Sequence, residues 1–303
     1  MIRVSYSIFN NKSVMLKNAL FWLKVSRPGL WFATIWLYLL PTSQMNIWQS
    51  IPFWFGFIYC CFPLNFLIYG WNDIVDFEID TKNPRKDNFL FGARGSKEQL
   101  AHLWKPIVIS QLITYPLAIF WGGWKMLLIL ITLIFLNAIY NWPSRGLRSR
   151  PPWELLCQVG YVLVVPFSIW INNTAALPWA TYAYLLLFAF QSHLIGEIMD
   201  LESDRDSGRI TIATQMGMKF TKLLIIVIVS LEVALLFIIF KDYLFGSMLA
   251  SGLIWLLLDL FFIFKTKTYT LIQLKLFGLM SNALAVASIV YVWYSGCLHT
   301  IPD

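Results

Sequence analysis

The chain has little charge. Of its 303 residues 13% are charged while 58% are hydrophobic, against the quarter or so charged in a typical soluble domain. That excludes an ordinary soluble domain and points to a polytopic membrane protein. Cysteine is scarce as well: Cys60, Cys61, Cys157 and Cys297 lack metal-type spacing, and three fall within apolar runs, so they are expected as small core residues. No cleavable signal peptide is evident, since the first apolar run is long and has no clear small-residue cleavage site, so it is expected to stay as a span. Lys and Arg are nearly absent from one set of connections. Only Lys125 and Lys241 of the 23 fall there, and the rest follow alternate loops. The net charge of +7 therefore reports topology, not nucleic-acid binding, and the positive-inside rule places the N-terminus and every even-to-odd loop in the cytoplasm.

What is present is a series of apolar runs long enough to span. Nine occur, at about 29–46, 51–71, 106–122, 124–140, 154–171, 177–196, 221–240, 243–264 and 273–294. The expected fold is all-α, a bundle of about nine transmembrane helices forming one domain over residues 1–303. Residues 1–28 form a basic and apolar arm, with Leu16, Leu20, Trp22 and Leu23 on a short interfacial helix ahead of Pro28.

Acids interrupt this pattern in two places. Asn72, Asp73, Asp76 and Asp80 follow the second run and share one face if the helix continues, with Glu78 off it. Like charges near 4 Å repel by on the order of 4 kcal/mol at an effective dielectric of ~20, so a cation is required. An all-oxygen set suits Mg2+, which retains waters and completes its shell with substrate phosphates. A solvated acidic helix end is the bland alternative, and the second cluster counts against it. His193, Glu197, Asp200 and Asp204 form another helical stripe after the sixth run, with Glu202 and Asp206 off it. Repeated acids beside a bilayer normally line a wet cavity. Two clusters on the cytoplasmic side imply one bipartite site.

Basic and polar residues flank the acids. Arg85 and Lys86 follow Pro84, while Tyr140, Asn141, Arg145 and Arg148 follow the fourth run. They suit phosphate oxygens, although each basic residue taken singly also fits ordinary positive-inside charge. Asn65 reads equally as helix-helix glue or a ligand. Glu232 and Asp259, inside later runs, read as structural or protonated groups.

These motifs resemble the UbiA superfamily of membrane prenyltransferases over nearly the whole chain. Its N-D-x-x-D-x-x-x-D signature matches Asn72, Asp73, Asp76 and Asp80. Its second, D-x-x-x-D with a following Gly and Thr stretch, matches Asp200, Asp204, Gly208, Thr211 and Thr214. Its Y-S-x-P-P-x-R-L-K pattern is kept only at Tyr140, Pro143, Leu147 and Arg148; Asn141, Ser144 and Gly146 replace family residues, and Arg145 compensates. Asn83-Pro84-Arg85-Lys86 and Arg27-Pro28 resemble the branch containing lycopene elongases and lipid-modifying members.

The resemblance implies two four-helix repeats plus one span, with both acid motifs facing a cytoplasmically capped cavity. It implies Mg2+ held by Asp73, Asp76, Asp80, Asp200 and Asp204, and a diphosphate bound by Asn72, Arg85, Lys86, Tyr140, Arg145 and Arg148. Asp73, Asp76, Asp200 and Asp204 would be catalytic, with the terminal base among the motif residues. The donor would be an isoprenyl diphosphate and the acceptor an aromatic compound, quinone precursor, carotenoid or lipid. The expected location is the bacterial inner membrane, in contact with its lipid. A cyclase acting on its own prenyl chain is the nearest alternative. A transporter is disfavoured because the charges crowd one face.

Overall fold

The computed structural model describes residues 15–81, 83–143 and 146–302, which are helical with no strand beyond an isolated bridge between Asn88 and Gly92. The principal helices are α1 (Trp31–Leu39), α2 (Ile51–Val75), α3 (Lys97–Gly122), α4 (Trp124–Tyr140), α5 (Trp153–Asn172), α6 (Trp179–Asp206), α7 (Ile212–Ile239), α8 (Tyr243–Ile263) and α9 (Leu271–Ser295). Among the described residues α2, α3, α5, α7, α8 and α9, six helices, are long and apolar enough to cross a membrane.

The other three carry the expected apolar runs in different forms. Pro28 and Pro41 lie in the 3-10 turns flanking α1, α4 has 17 residues, and α6 has 28 residues with its acids gathered at one end. Residues 15–25 form the expected helix ahead of Pro28, with Leu16 and Leu20 exposed.

Local sequence explains most breaks and ends. Proline at 63 interrupts α2 because it lacks the N–H that would continue the ladder, and the amide of Asn65 repairs the gap. Its Nδ2 donates to the carbonyls of Cys60 at 2.7 Å and Cys61 at 3.0 Å, and to Thr34 Oγ1 at 2.8 Å on α1. Asn65 is therefore helix glue. Gly123, at φ 73°, makes the tight turn from α3 to α4. Ser96, Thr211 and Thr270 each close a capping box at a helix start.

Packing follows the demands of a bilayer. One core joins Tyr38, Phe53, Tyr59, Leu130 and Phe167 across α1, α2, α4 and α5, and another joins Leu194, Leu201, Ala213 and Ile225 between α6 and α7. Tyr38 OH donates to Phe53 O at 2.7 Å, while Ser168 Oγ donates to Tyr38 O at 2.6 Å. Such polar ties matter where lipid removes the hydrophobic drive between helices. Outward positions such as Leu112, Phe120, Phe262 and Met280 are exposed and apolar, as a lipid-facing surface requires. All four cysteines are free, with Cys60 and Cys297 buried and Cys61 and Cys157 half-buried. Inside the bundle Asp259 pairs with Lys222 Nζ at 2.6 Å and accepts from Tyr269 OH at 2.7 Å, a self-contained structural cluster.

Candidate active site

The end of α2 is not the unbroken helix that its acid spacing suggests. The helix stops at Val75, Asp76 adopts φ −92° and ψ 14°, and a short helix restarts at Phe77–Asp80. The acids still converge: Lys86 Nζ lies 2.7 Å from Asp73 Oδ1 and 2.7 Å from Asp80 Oδ2. Arg27 Nη2 also meets Asp73 Oδ1 at 2.7 Å, and its guanidinium lies 4.4 Å from the centre of the Tyr69 ring. Asp76 receives two arginines, Arg148 at 2.6 Å and Arg209 at 3.4 Å. Desolvating an unpaired carboxylate costs several kcal/mol, so these cations make burial of Asp73 and Asp76 tolerable. Glu78 is exposed, as expected.

The second acid stripe keeps its regular spacing because α6 runs unbroken to Asp206. Asp200 accepts from Asn83 Nδ2 at 3.0 Å and pairs with Arg85, both residues from the loop after α2. Arg209 bridges the two motifs, since the nitrogen beside Asp76 also lies 3.8 Å from Asp204. Beyond Asp206 the chain turns through Gly208, at φ 72°, which swings Arg209 back to this position.

Burial pushes the Asp204 carboxyl up to about 7 against the pull of Arg209, with Asp200 and Asp76 adding to the rise. Asp80 rises to about 6, again through burial first, with Lys86 opposing and Asp73 reinforcing the shift. Beside the second motif, Glu197 Oε2 accepts from Ala213 N at 2.9 Å and Glu154 Oε1 accepts from Ile212 N at 2.9 Å. Both carboxylates thus satisfy free N–H groups at the start of α7.

One cavity of about 630 Å³ unites these parts. Asn72, Asp76, Asp80, Asp200 and Asp204 line its polar end, together with Arg85, Lys86, Tyr140 and Arg148. Asp73 sits just behind, held by Lys86 and Arg27. The other end is apolar, walled by Phe32, Trp36, Leu133, Phe188, Phe245 and Leu284. Arg145 and Ser144 lie outside the described residues. The sequence reading left Arg27, Asn83 and Arg209 out of the site, though signals existed: Arg27 precedes the proline that starts the first span, and Arg209 follows the glycine of the second motif.

The donor set fits a hard cation. Asp73 Oδ2 is buried without a hydrogen-bond partner, and the carboxylates supply the oxygen ligands that Mg2+ prefers. Among the described residues no three His, Cys, Asp or Glu side chains converge as a finished metal cage; the nearby arginines and lysine neutralise the acids instead.

The UbiA prenyltransferase family matches residues 30–277 of the chain. A lycopene elongase/hydratase from Corynebacterium glutamicum is 26% identical over 199 residues, covering 63% of this chain and 68% of that protein. A UbiA homologue from Archaeoglobus fulgidus solved with DMAPP and Mg2+ has the same fold, with TM-score 0.67 and 15% identity over 89% of this chain and 99% of that one. Its structure with GPP and Mg2+ gives TM-score 0.64 and 17% identity over 90% and 99%. With its two acid motifs on a helical bundle and the family match over most of its length, the chain belongs to the UbiA prenyltransferase family and is a membrane prenyltransferase.

Proposed function

We propose that the protein transfers an isoprenyl group from an isoprenyl diphosphate to a carbon of a hydrophobic acceptor, with Mg2+, and releases pyrophosphate. The observation that carries this reading is the cavity itself, acidic and basic at one end and apolar at the other. Its charges are balanced: the five motif aspartates face Arg27, Arg85, Lys86, Arg148 and Arg209. A metal diphosphate carries complementary charges, so Asp73, Asp76, Asp80, Asp200 and Asp204 would hold Mg2+ while the cations, with Asn72, Tyr140 and Arg145, would take phosphate oxygens. Bound there, Mg2+ would neutralise charge that develops on the leaving pyrophosphate.

The chain's own residues perform the remaining tasks. Arginine groups orient the diphosphate through paired N–H donors. The walls around Trp36, Phe188 and Phe245 exclude water, and aromatic faces stabilise an allylic cation.

An extended polyene is the acceptor we favour, supported by the likeness to a lycopene elongase/hydratase. The same reading puts nine spans in one domain, built as two four-helix repeats plus one, in a bacterial inner membrane with the acid motifs and N-terminus facing the cytoplasm. Mass spectrometry of membranes supplied with Mg2+, C5 to C20 prenyl diphosphates, lycopene and a pooled lipid extract tests it. A prenylated acceptor formed only with Mg2+ is expected. Products from the donor alone would instead mean cyclisation, and consumption of no prenyl diphosphate would overturn the enzyme reading.

A further inference from the structure

The cavity wall holds a titratable pair that the diphosphate site does not use. His193 Nε2 lies 3.1 Å from Glu197 Oε1, one helical turn along α6. Both residues line the cavity between Phe188, at its apolar end, and Asp200, at its polar end. All four positions lie on one straight helix, so His193 sits about 10 Å deeper along the axis than Asp200. That is past the diphosphate anchor and level with the start of the apolar walls, where the reacting carbons of donor and acceptor must meet.

A helix-capping role does not account for the pair. Glu197 meets the start of α7 with Oε2 alone, through Ala213 N at 2.9 Å. This bond fixes the carboxylate and leaves Oε1 buried without a hydrogen-bond partner; it faces His193 Nε2, equally unpartnered, at 3.1 Å, a close contact that falls short of hydrogen-bond alignment and that a small rotation of the ring completes. A carboxylate on Nε2 favours the proton on that nitrogen and leaves Nδ1 as the basic atom. The ring also stands edge-on to Tyr140, with centroids 6.5 Å apart at 75°. Among the described residues Tyr140 from α4 and Glu197 on α6 are the titratable neighbours that contact it, with Arg148, Arg209 and Asp76 beyond Tyr140 and Glu154 beyond Glu197.

We propose that His193 is the terminal general base of the reaction and that Glu197 positions it. This rests on the prenyl-transfer reading above. The acceptor's π-electrons attack C1 of the donor, the new C–C bond forms as the C–O bond breaks, and pyrophosphate leaves with the bonding pair. The acceptor is left as a carbocation. His193 Nδ1 removes a proton from the adjacent carbon, the C–H pair becomes the new double bond, and the imidazolium is stabilised by Glu197. Without this base, water adds to the cation and releases a proton, giving an alcohol.

Two readouts test the assignment. The sequence has three histidines, His102, His193 and His299, so 15N-histidine spectra of the full chain with Mg2+ and a non-reactive thiolodiphosphate donor can be assigned with His193→Gln. We expect the Nε2–H tautomer for His193, and a shift of its signals in Glu197→Gln, which keeps an oxygen for Ala213 N–H. An Nδ1–H tautomer, or signals indifferent to Glu197→Gln, would overturn the dyad.

In turnover with lycopene as the probe acceptor, His193→Gln should lower the ratio of alkene to alcohol product by about tenfold, with Glu197→Gln moving it the same way by less. A merely structural role would lower both products together, and an unchanged ratio overturns the proposal. Absence of any prenylated product from the unaltered protein with every acceptor would count against the prenyl-transfer reading itself, while the spectra would still decide whether the dyad exists.

Discussion

The two acid motifs sit at the ends of two helices that finish differently. At the end of α2 the helix breaks at Asp76, and Asp73 and Asp76 are almost fully buried among Arg27, Lys86, Arg148 and Arg209. At the end of α6 the helix is straight, and the Asp200 side chain remains 30% exposed beside Asn83 and Arg85. The first motif is a desolvated ionic cluster, whereas in the second only Asp204 is buried and Asp200 stays open to an incoming ligand. Removing a carboxylate from the first strands buried cations, which is more costly than losing a partly solvated pair.

The largest expected effect follows from that contrast. Asp76→Ala should reduce turnover by about 1,000-fold or more, and Asp200→Ala by about 100-fold, with membrane insertion intact in both. Product formation in membranes containing matched amounts of protein measures this, and equal losses would erase the distinction between the motifs. Next in size is Arg209, which touches both. Arg209→Ala should raise the KM for prenyl diphosphate by about 10- to 100-fold, and Arg209→Lys should recover only part, because one ammonium does not reproduce the guanidinium's spread of donors. A KM unchanged in Arg209→Ala would show that the bridge is not used.

Proton competition is a smaller effect with a definite sign. Asp204 and Asp80 are raised to about 7 and about 6, so the folded, metal-free protein holds their protons more tightly than the unfolded chain does. Stability without metal should therefore fall as pH climbs through this window, and Mg2+ should restore it above pH 7. Apparent Mg2+ affinity should weaken by about tenfold between pH 8 and pH 6. Melting curves with Mg2+ and with chelator at each pH test both, and a metal-induced shift that does not vary with pH would contradict the account. The smallest change belongs to Glu78 and Glu202, exposed acids that lie off the stripes: Glu78→Gln and Glu202→Gln should leave the initial rate within about twofold.

The sequence reads the second motif better than the first for a physical reason. Helical spacing places His193, Glu197, Asp200 and Asp204 on one face, and α6 keeps that spacing because no residue interrupts it. The same arithmetic on Asn72 to Asp80 assumes a continuous helix, but the chain breaks at Asp76 and tertiary contacts with Lys86 bring Asp73 and Asp80 together again. Long-range partners were the least legible part. Arg27 lies 46 residues from Asp73, and Arg209 lies 133 from Asp76, separations that no local pattern encodes. Asn65 illustrates the same limit, since its role depends on the proline break beside it and on Thr34 across the helix interface.

The most direct test of a single bipartite site is a double-mutant cycle on binding. Calorimetry with Mg2+ and a non-reactive geranyl thiolodiphosphate would be run on the unaltered protein, Asp76→Asn, Asp200→Asn and the double variant. One shared site predicts non-additive losses with a coupling of about 1 kcal/mol or more. Strictly additive losses would contradict it, because the two motifs would then be binding independently.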